Sequence, residues 1–183
     1  RAAAGLADRE DLTMADDTVV EEAPEAVAAP PEPERRHGAL VTESHGDTVL
    51  HATREELHTI VRTLRDDDGF NMCLDVTGVD YLTYEPDRRL PEGIVAERFE
   101  VVVTLMSHAQ RVRIRLRAQI PEADPTCQSL FDVHPGTEAM EREVFDLFGI
   151  AFEGHPDLTR ILMPEDWDGH PLRKDHAMGR IPV

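Results

Sequence analysis

The sequence predicts an α+β fold: helices packed on a small mixed or antiparallel sheet, followed by an irregular C-terminal strap. Three observations carry it. Residues 53–69 hold a capped helical stripe, residues 98–120 hold two adjoining runs of apolar and polar alternation, and the chain beyond Gly149 is broken by proline and glycine and dense in charge. The division is a disordered acidic tail at 1–36, an α+β domain at 37–149 and an extended docking segment at 150–183.

The tail is rich in Ala, Pro, Asp and Glu, and no Phe, Tyr or Trp occurs before Phe70, so burial cannot offset its ordering entropy. Pro24, Pro30, Pro31 and Pro33 confine any helix formed on a partner to about the first twenty residues. From Thr53 a helix is expected: Thr53 and Glu56 form a capping box, Leu57, Ile60, Val61 and Leu64 form a stripe at i, i+3, i+4 and i+7, and Gly69 ends it. Residues 72–84 mix Val76, Val79, Tyr81 and Leu82 with Gly78, which reads as a strand bulged at the glycine, and a Pro-bounded loop follows at 85–97.

Residues 98–107 and 110–120 are expected to pair as a hairpin, because Phe99, Val101, Val103 and Leu105 alternate with more polar residues, as do Val112, Ile114, Leu116 and Ala118. A two-residue loop at His108 and Ala109 would set Leu105 opposite Val112, Val103 opposite Ile114, Val101 opposite Leu116 and Glu100 opposite Arg117. Arg111, Arg113, Arg115 and Arg117 then share one face, which suits solvent, an acidic partner or, least well given the overall charge, nucleic acid.

A second helix runs to Gly149, which takes the left-handed stop. Thr137 is placed to accept from the opening turn, Glu138 and Glu141 sit where the helix dipole favours anions, and Arg142 faces Asp146 four residues on. Met140, Val144, Leu147 and Phe148 share its apolar face. Beyond it stand two Gly-His-Pro triplets, Gly154-His155-Pro156 and Gly169-His170-Pro171, whose X-Pro steps hold each histidine extended and stop the helix from resuming. The strap between and after them carries Ile161-Leu162-Met163 and Trp167 among Asp157, Arg160, Arg173, Lys174 and Asp175. It has too little periodicity for a layer of its own and too many large apolar groups for water, so it is expected to lie on something.

A net charge of −18 excludes the cationic footprint that nucleic acids or anionic membranes require. No apolar run is long enough to span a membrane, and the first residues lack the basic-then-apolar pattern expected of a secretory signal. Cys73 and Cys127 lie far apart and read as structural thiols of a reducing compartment. Glu141, Glu143, Asp146, His155, Asp157, His170 and His176 form an enzyme-like set, and a free-standing enzyme with Glu141 and His155 as acid and base is one alternative. Their spacing lacks the paired histidines of a helical metal site, and each Gly-His-Pro histidine is expected to donate to a backbone carbonyl and fix its turn. Neither a Rossmann nor a P-loop nucleotide cradle is encoded.

Glu141-Arg142-Glu143-Val144-Phe145-Asp146-Leu147-Phe148-Gly149-Ile150, followed by residues 152–158 and by Gly169-His170-Pro171-Leu172-Arg173-Lys174-Asp175, closely resembles the 30-kilodalton subunit family of respiratory complex I, known in bacteria as the C subunit of NADH-quinone oxidoreductase. Thr159 and Ala139-Met140 depart from the family pattern. The resemblance implies a peripheral-arm subunit on the cytoplasmic side of the membrane that binds no flavin, iron–sulfur cluster or metal. It would pack on the large subunit that helps form the quinone site, beside iron–sulfur subunits, with NADH, flavin, clusters and quinone held by partners. On that reading the docking residues are Glu141, Arg142, Glu143, Asp146, Phe148, Gly149, Gly154, His155, Pro156, Asp157, Arg160, Trp167, Gly169, His170, Pro171, Arg173, Lys174 and Asp175, with Trp167 and Ile161 as apolar anchors and Arg160, Arg173 and Lys174 as charged contacts. The corresponding subunit of an energy-converting hydrogenase or formate hydrogenlyase is the other alternative.

Overall fold

Strong alternation in residues 98–120 builds the centre of a six-stranded sheet. The structure is a computed structural model that describes residues 33–84, 88 and 90–177. In chain order the sheet strands are β1 (Arg35–Arg36), β2 (Ala39–Ser44), β3 (Asp47–Ala52), β4 (Met72–Asp80), β5 (Phe99–Ser107) and β6 (Val112–Ile120). They lie in the order β1-β2-β3-β6-β5-β4, antiparallel except for the parallel pair β3–β6, so the sheet is mixed. Helix α1 (Arg54–Asp66) connects β3 to β4, and helix α2 (Glu138–Phe148) follows a second, two-stranded parallel sheet element, β7 (Thr126–Gln128), whose partner is β8 (Ala151–Glu153).

The expected α+β class is what forms. Val76, Val103, Leu116 and Leu50 share one register row, and Gly78, Val101, Ala118 and Ala52 the next. These inward residues pack with Leu57, Ile60, Val61 and Leu64 of α1 and Val144 and Phe148 of α2 into one core. Thr53 caps α1 as expected, its hydroxyl oxygen accepting from the Glu56 N–H at 3.2 Å.

Several expectations are corrected. The β5–β6 loop has four residues, 108–111, with Arg111 left-handed at φ 58° and donating its N–H to the Ser107 carbonyl at 2.8 Å. The register is therefore Leu105 opposite Ile114, Val103 opposite Leu116 and Glu100 opposite Gln119, two residues from the expected pairing. A slip of two keeps every side chain on its face, which is why the core matches the alternation although the partners change. His108 and Ala109 do not favour the two positive φ angles of a tight primed turn. The bulge in β4 lies between Cys73 and Asp75, not at Gly78. Two hairpins in residues 35–52 were not foreseen; each turns on a His-Gly pair, His37-Gly38 and His45-Gly46, with all four residues at positive φ.

The expected boundaries shift as well. Arg35 and Arg36, assigned to the tail, form β1 on the sheet edge, whereas residues 1–32 of that tail lie outside the described residues. The segment expected to leave the domain at 150 begins inside it as β8. Residues 85–87 and 89 of the expected loop and 178–183 of the strap also lie outside the described residues.

Gly78 serves packing. A Cβ there would sit 2.8 Å from Cδ2 of Phe148 and 3.1 Å from its Cγ, so α2 approaches the sheet only because that position has no side chain. Gly78→Ala is expected to lower stability by about 1–3 kcal/mol in urea unfolding. Adding Phe148→Leu, which removes the opposing ring, should make the two changes cost less together than their separate effects predict.

Candidate docking site

Three acidic residues of α2, Glu138, Glu141 and Asp146, are structurally committed, and the bonds of Asp146 hold the strap. Thr137 does not cap the backbone as expected: it is already helical (φ −79°, ψ −10°), and its hydroxyl donates to Glu141 Oε1 at 3.0 Å. Glu141 is fully buried. Its carboxylate also accepts from the Ser129 hydroxyl at 2.6 Å and the Leu130 N–H at 2.7 Å, pinning the segment before α2. Arg142 does not pair with Asp146. It reaches Glu138 at 3.2 Å and donates to the Thr159 carbonyl and hydroxyl and the Arg160 carbonyl at 3.0–3.1 Å, clamping the strap's first turn.

Asp146 is the strap's main anchor. Its side chain is fully buried; Oδ2 accepts the N–H groups of Ile161 (3.1 Å), Leu162 (2.8 Å) and Met163 (2.8 Å), and Oδ1 accepts Arg160 at 2.6 Å. Burial alone would raise this carboxyl; the N–H groups of Met163 and Leu162, then Arg160, outweigh burial and hold it below the ordinary carboxylate range.

The strap then supplies what a helix C-terminus lacks. Arg160 and His170 Nδ1 donate to the Asp146 carbonyl at 3.3 and 2.9 Å, and the Leu172 N–H donates to the Leu147 carbonyl at 3.0 Å. Arg173 donates to the Phe148 carbonyl at 2.6 Å and to that of Gly149 at 3.4 Å. The carbonyls that α2 leaves open are thus satisfied from outside, and two guanidinium groups lie at its negative end. Gly149 adopts the left-handed stop at φ 71°, and a Cβ on it would meet Arg173 and His170 at 2.5 Å. Burial, with Arg173 and Arg160 nearby, keeps the His170 pKa low despite its bond to the Asp146 carbonyl.

A second buried carboxylate fixes the far end. Asp80 accepts the Lys174 N–H at 2.8 Å and two bonds from Arg98, and Arg98 also reaches Asp175 at 2.8 Å and Glu122 at 2.5 Å. Here too burial would raise the carboxyl, and Arg98, then the Lys174 and Leu82 N–H groups, hold it down. Neither Asp80 nor Arg98 figured among the expected site residues. The available signal was a charge in phase with Val76 and Gly78 on the inward face of β4.

The expected docking residues therefore separate into two groups. Glu141, Arg142, Asp146, Phe148, Gly149, Arg160, His170 and Arg173 hold the chain to itself, Arg160 and Arg173 through bonds to Asp146 and to the end of α2. His155 acts as foreseen: Nε2–H donates to the Glu138 carbonyl at 3.0 Å while Nδ1 accepts from the Asp157 N–H at 3.1 Å. Gly154 and Gly169 take positive φ in the turns that carry Pro156 and Pro171. Outward stand Glu143, Asp157, Lys174, Asp175 and an apolar ridge of Ile161, Leu162, Trp167 and Leu172, of which Leu162 is 54% exposed. Trp167 stacks on His176 with ring centroids 6.5 Å apart. With Glu141 enclosed by three donors, the Glu141–His155 acid/base alternative has no accessible carboxylate. Among the described residues no group of three or more His, Cys, Asp or Glu is placed to hold a metal ion, and no helix is long and apolar enough to cross a membrane.

Comparison with known proteins shows the family. Residues 50–181 match the family described as respiratory-chain NADH dehydrogenase, 30 Kd subunit. The chain is 46% identical over 145 residues to the C subunit of NADH-quinone oxidoreductase from Saccharopolyspora erythraea, covering 78% of this chain and 54% of that one. It is also 46% identical over 140 residues to the protein of that name from Roseiflexus castenholzii, covering 75% of this chain and 74% of that one. It spans about half the length of the first of these relatives. Among solved structures, a trypsin-resistant fragment (1–134) of Nqo5 is 37% identical with a TM-score of 0.58, covering 66% of this chain and 90% of that one. A chain of an archaeal membrane-bound sulfane sulfur reductase shares the fold at TM-score 0.63 and 21% identity, covering 76% of this chain and 78% of that one. By sequence across most of its length and by fold, this chain belongs to the 30 Kd subunit family of respiratory-chain NADH dehydrogenase.

Proposed function

We propose that this chain is a peripheral-arm subunit of a proton-translocating NADH-quinone oxidoreductase on the cytoplasmic side of the membrane, and that it acts by presenting its strap to the large subunit forming the quinone site. On this reading NADH, flavin, iron–sulfur clusters and quinone are handled by neighbouring subunits, and this one contributes shape. One observation carries it: four large apolar side chains, Ile161, Leu162, Trp167 and Leu172, stand exposed on an irregular segment that two buried aspartates hold in place. Such a ridge is costly in water unless covered, and a pre-ordered segment loses little entropy on docking. The names of the relatives at 46% identity favour this complex over an energy-converting hydrogenase or formate hydrogenlyase.

Display and anchoring are separable. Leu162→Asp combined with Trp167→Ser changes exposed residues, so unfolding stability should move by no more than about 0.5 kcal/mol. Co-purification of the large subunit in mild detergent should nevertheless fall to background, and wild-type recovery would refute the docking role. Asp146→Asn, in contrast, leaves Arg160 without its buried partner and should cost about 3 kcal/mol in the isolated chain.

The anchors also set an acid limit. Because both carboxyls are held low, their contribution is complete above about pH 5, where unfolded aspartate is almost fully ionised. It is lost as pH falls through the lower folded-state values, since the unfolded chain takes up protons first. Chemical denaturation between pH 6 and pH 2 should show stability falling below about pH 5, and Asp146→Asn should fall less steeply there than wild type.

A further inference from the structure

Both helices and the strap lie on one face of the six-stranded sheet. The other face carries Val49, Val79, Glu100, Val102, Thr104, Arg115 and Arg117, and among the described residues no helix packs over it. It has a built-in structure of its own. Glu100 is fully buried beneath Arg88, Arg117 (Nε to Oε1, 2.6 Å) and Gln119, with Arg88 stacked on the Tyr81 ring at 3.3 Å. Beside it lies an open hollow of about 270 Å³ lined by Val49, Val79 and Val102 together with Ser44, Tyr81, Glu100, Arg115 and Arg117.

The charge on this face opposes that of the rest of the chain. Arg88, Arg113, Arg115 and Arg117 stand against Asp47, Asp75 and Glu100, whereas the whole sequence carries −18. The outermost pair is loosely held. Among the described residues Asp47 is the one carboxylate bridging Arg113 and Arg115, at 3.5 and 3.3 Å, and their side chains are 58% and 37% exposed. Two guanidinium groups sharing a single distant carboxylate keep donors free for another. Arg115 also lines the hollow beside Val49, Val79 and Val102, which suits a segment with a carboxylate next to an apolar side chain.

We propose that this sheet face, over which no helix of the described residues packs, is a second docking surface, distinct from the strap, and that its occupant is an acidic segment of a neighbouring protein subunit. A carboxylate of that segment binds Arg113 and Arg115, and an apolar side chain enters the hollow between Val49, Val79 and Val102. The inference rests on the reading of this chain as a subunit of a larger complex, so its test carries an internal control for that reading.

The photo-crosslinking residue p-benzoylphenylalanine is placed, in separate strains, at Thr104 on the open face and at Trp167 on the strap, and the whole complex is irradiated and its adducts sequenced. Thr104 should couple to an Asp- or Glu-rich segment of another subunit. Arg113→Glu with Arg115→Glu should cut that adduct by at least about tenfold, a cost of about 1.4 kcal/mol, while the Trp167 adduct is unchanged. Arg113→Gln with Arg115→Gln, which adds no repulsion toward Asp47, should lower the yield in the same direction. A Trp167 adduct with none from Thr104, or a Thr104 adduct with a basic or neutral segment, nucleic acid or a second copy of this chain, overturns the proposal while the strap reading stands. Loss of both adducts removes the complex reading and this inference with it.

Discussion

A helix must end somewhere, and the way α2 ends governs the path of the strap that follows it. Its terminal carbonyls need donors, its dipole needs positive charge, and Asp146 in its final turn sits in the interior as a carboxylate. One segment answers all three needs: three successive N–H groups at 161–163, two arginines, one histidine and the N–H of Leu172 converge on the last turn and its stop. An irregular segment with almost no backbone ladder gains a defined path in this way, because its polar groups are paired with a helix end instead of with each other.

That path explains why the apolar ridge faces outward. While the amides of residues 161–163 point at Asp146, Ile161 and Leu162 present their side chains on the surface and Met163 is half-buried. The far end is held by an analogous device at the mouth of the sheet, where Asp80 and Arg98 receive Lys174 and Asp175. Glu141, Asp146, Asp80, His155 and His170, residue types that could carry chemistry, are each bonded within the chain and hold its fold. On the proposed reading the working parts are surfaces: the exposed apolar side chains of the strap and the Arg-lined sheet face.

Much of this was legible from sequence where periodicity is strong. The stripe from Leu57 to Leu64 and the alternation through residues 99–118 identify α1, β5, β6 and their inward faces, since those depend on period alone. The hairpin register was not, because loop length is set by backbone conformation at Arg111, a residue type that seldom signals positive φ. The paired His-Gly turns were readable in principle, as glycine after a residue tolerant of positive φ between β-forming runs, and were missed. Within the site, the Gly149 stop and the backbone-fixing role of His155 were legible. The partners of Asp146 were not: helical spacing places Arg142 four residues away, and only the three-dimensional return of the strap shows that both residues hold the strap instead.

Every role given to the ridge requires the strap to be ordered by Asp146 before any partner arrives. Amide hydrogen exchange of the isolated chain, read by NMR at Ile161, Leu162 and Met163, tests this directly. Protection approaching that of the α2 amides is expected, lost at all three positions together in Asp146→Asn while the β5 and β6 amides stay protected. Exchange at the rates of an unstructured peptide in the unaltered chain would contradict it.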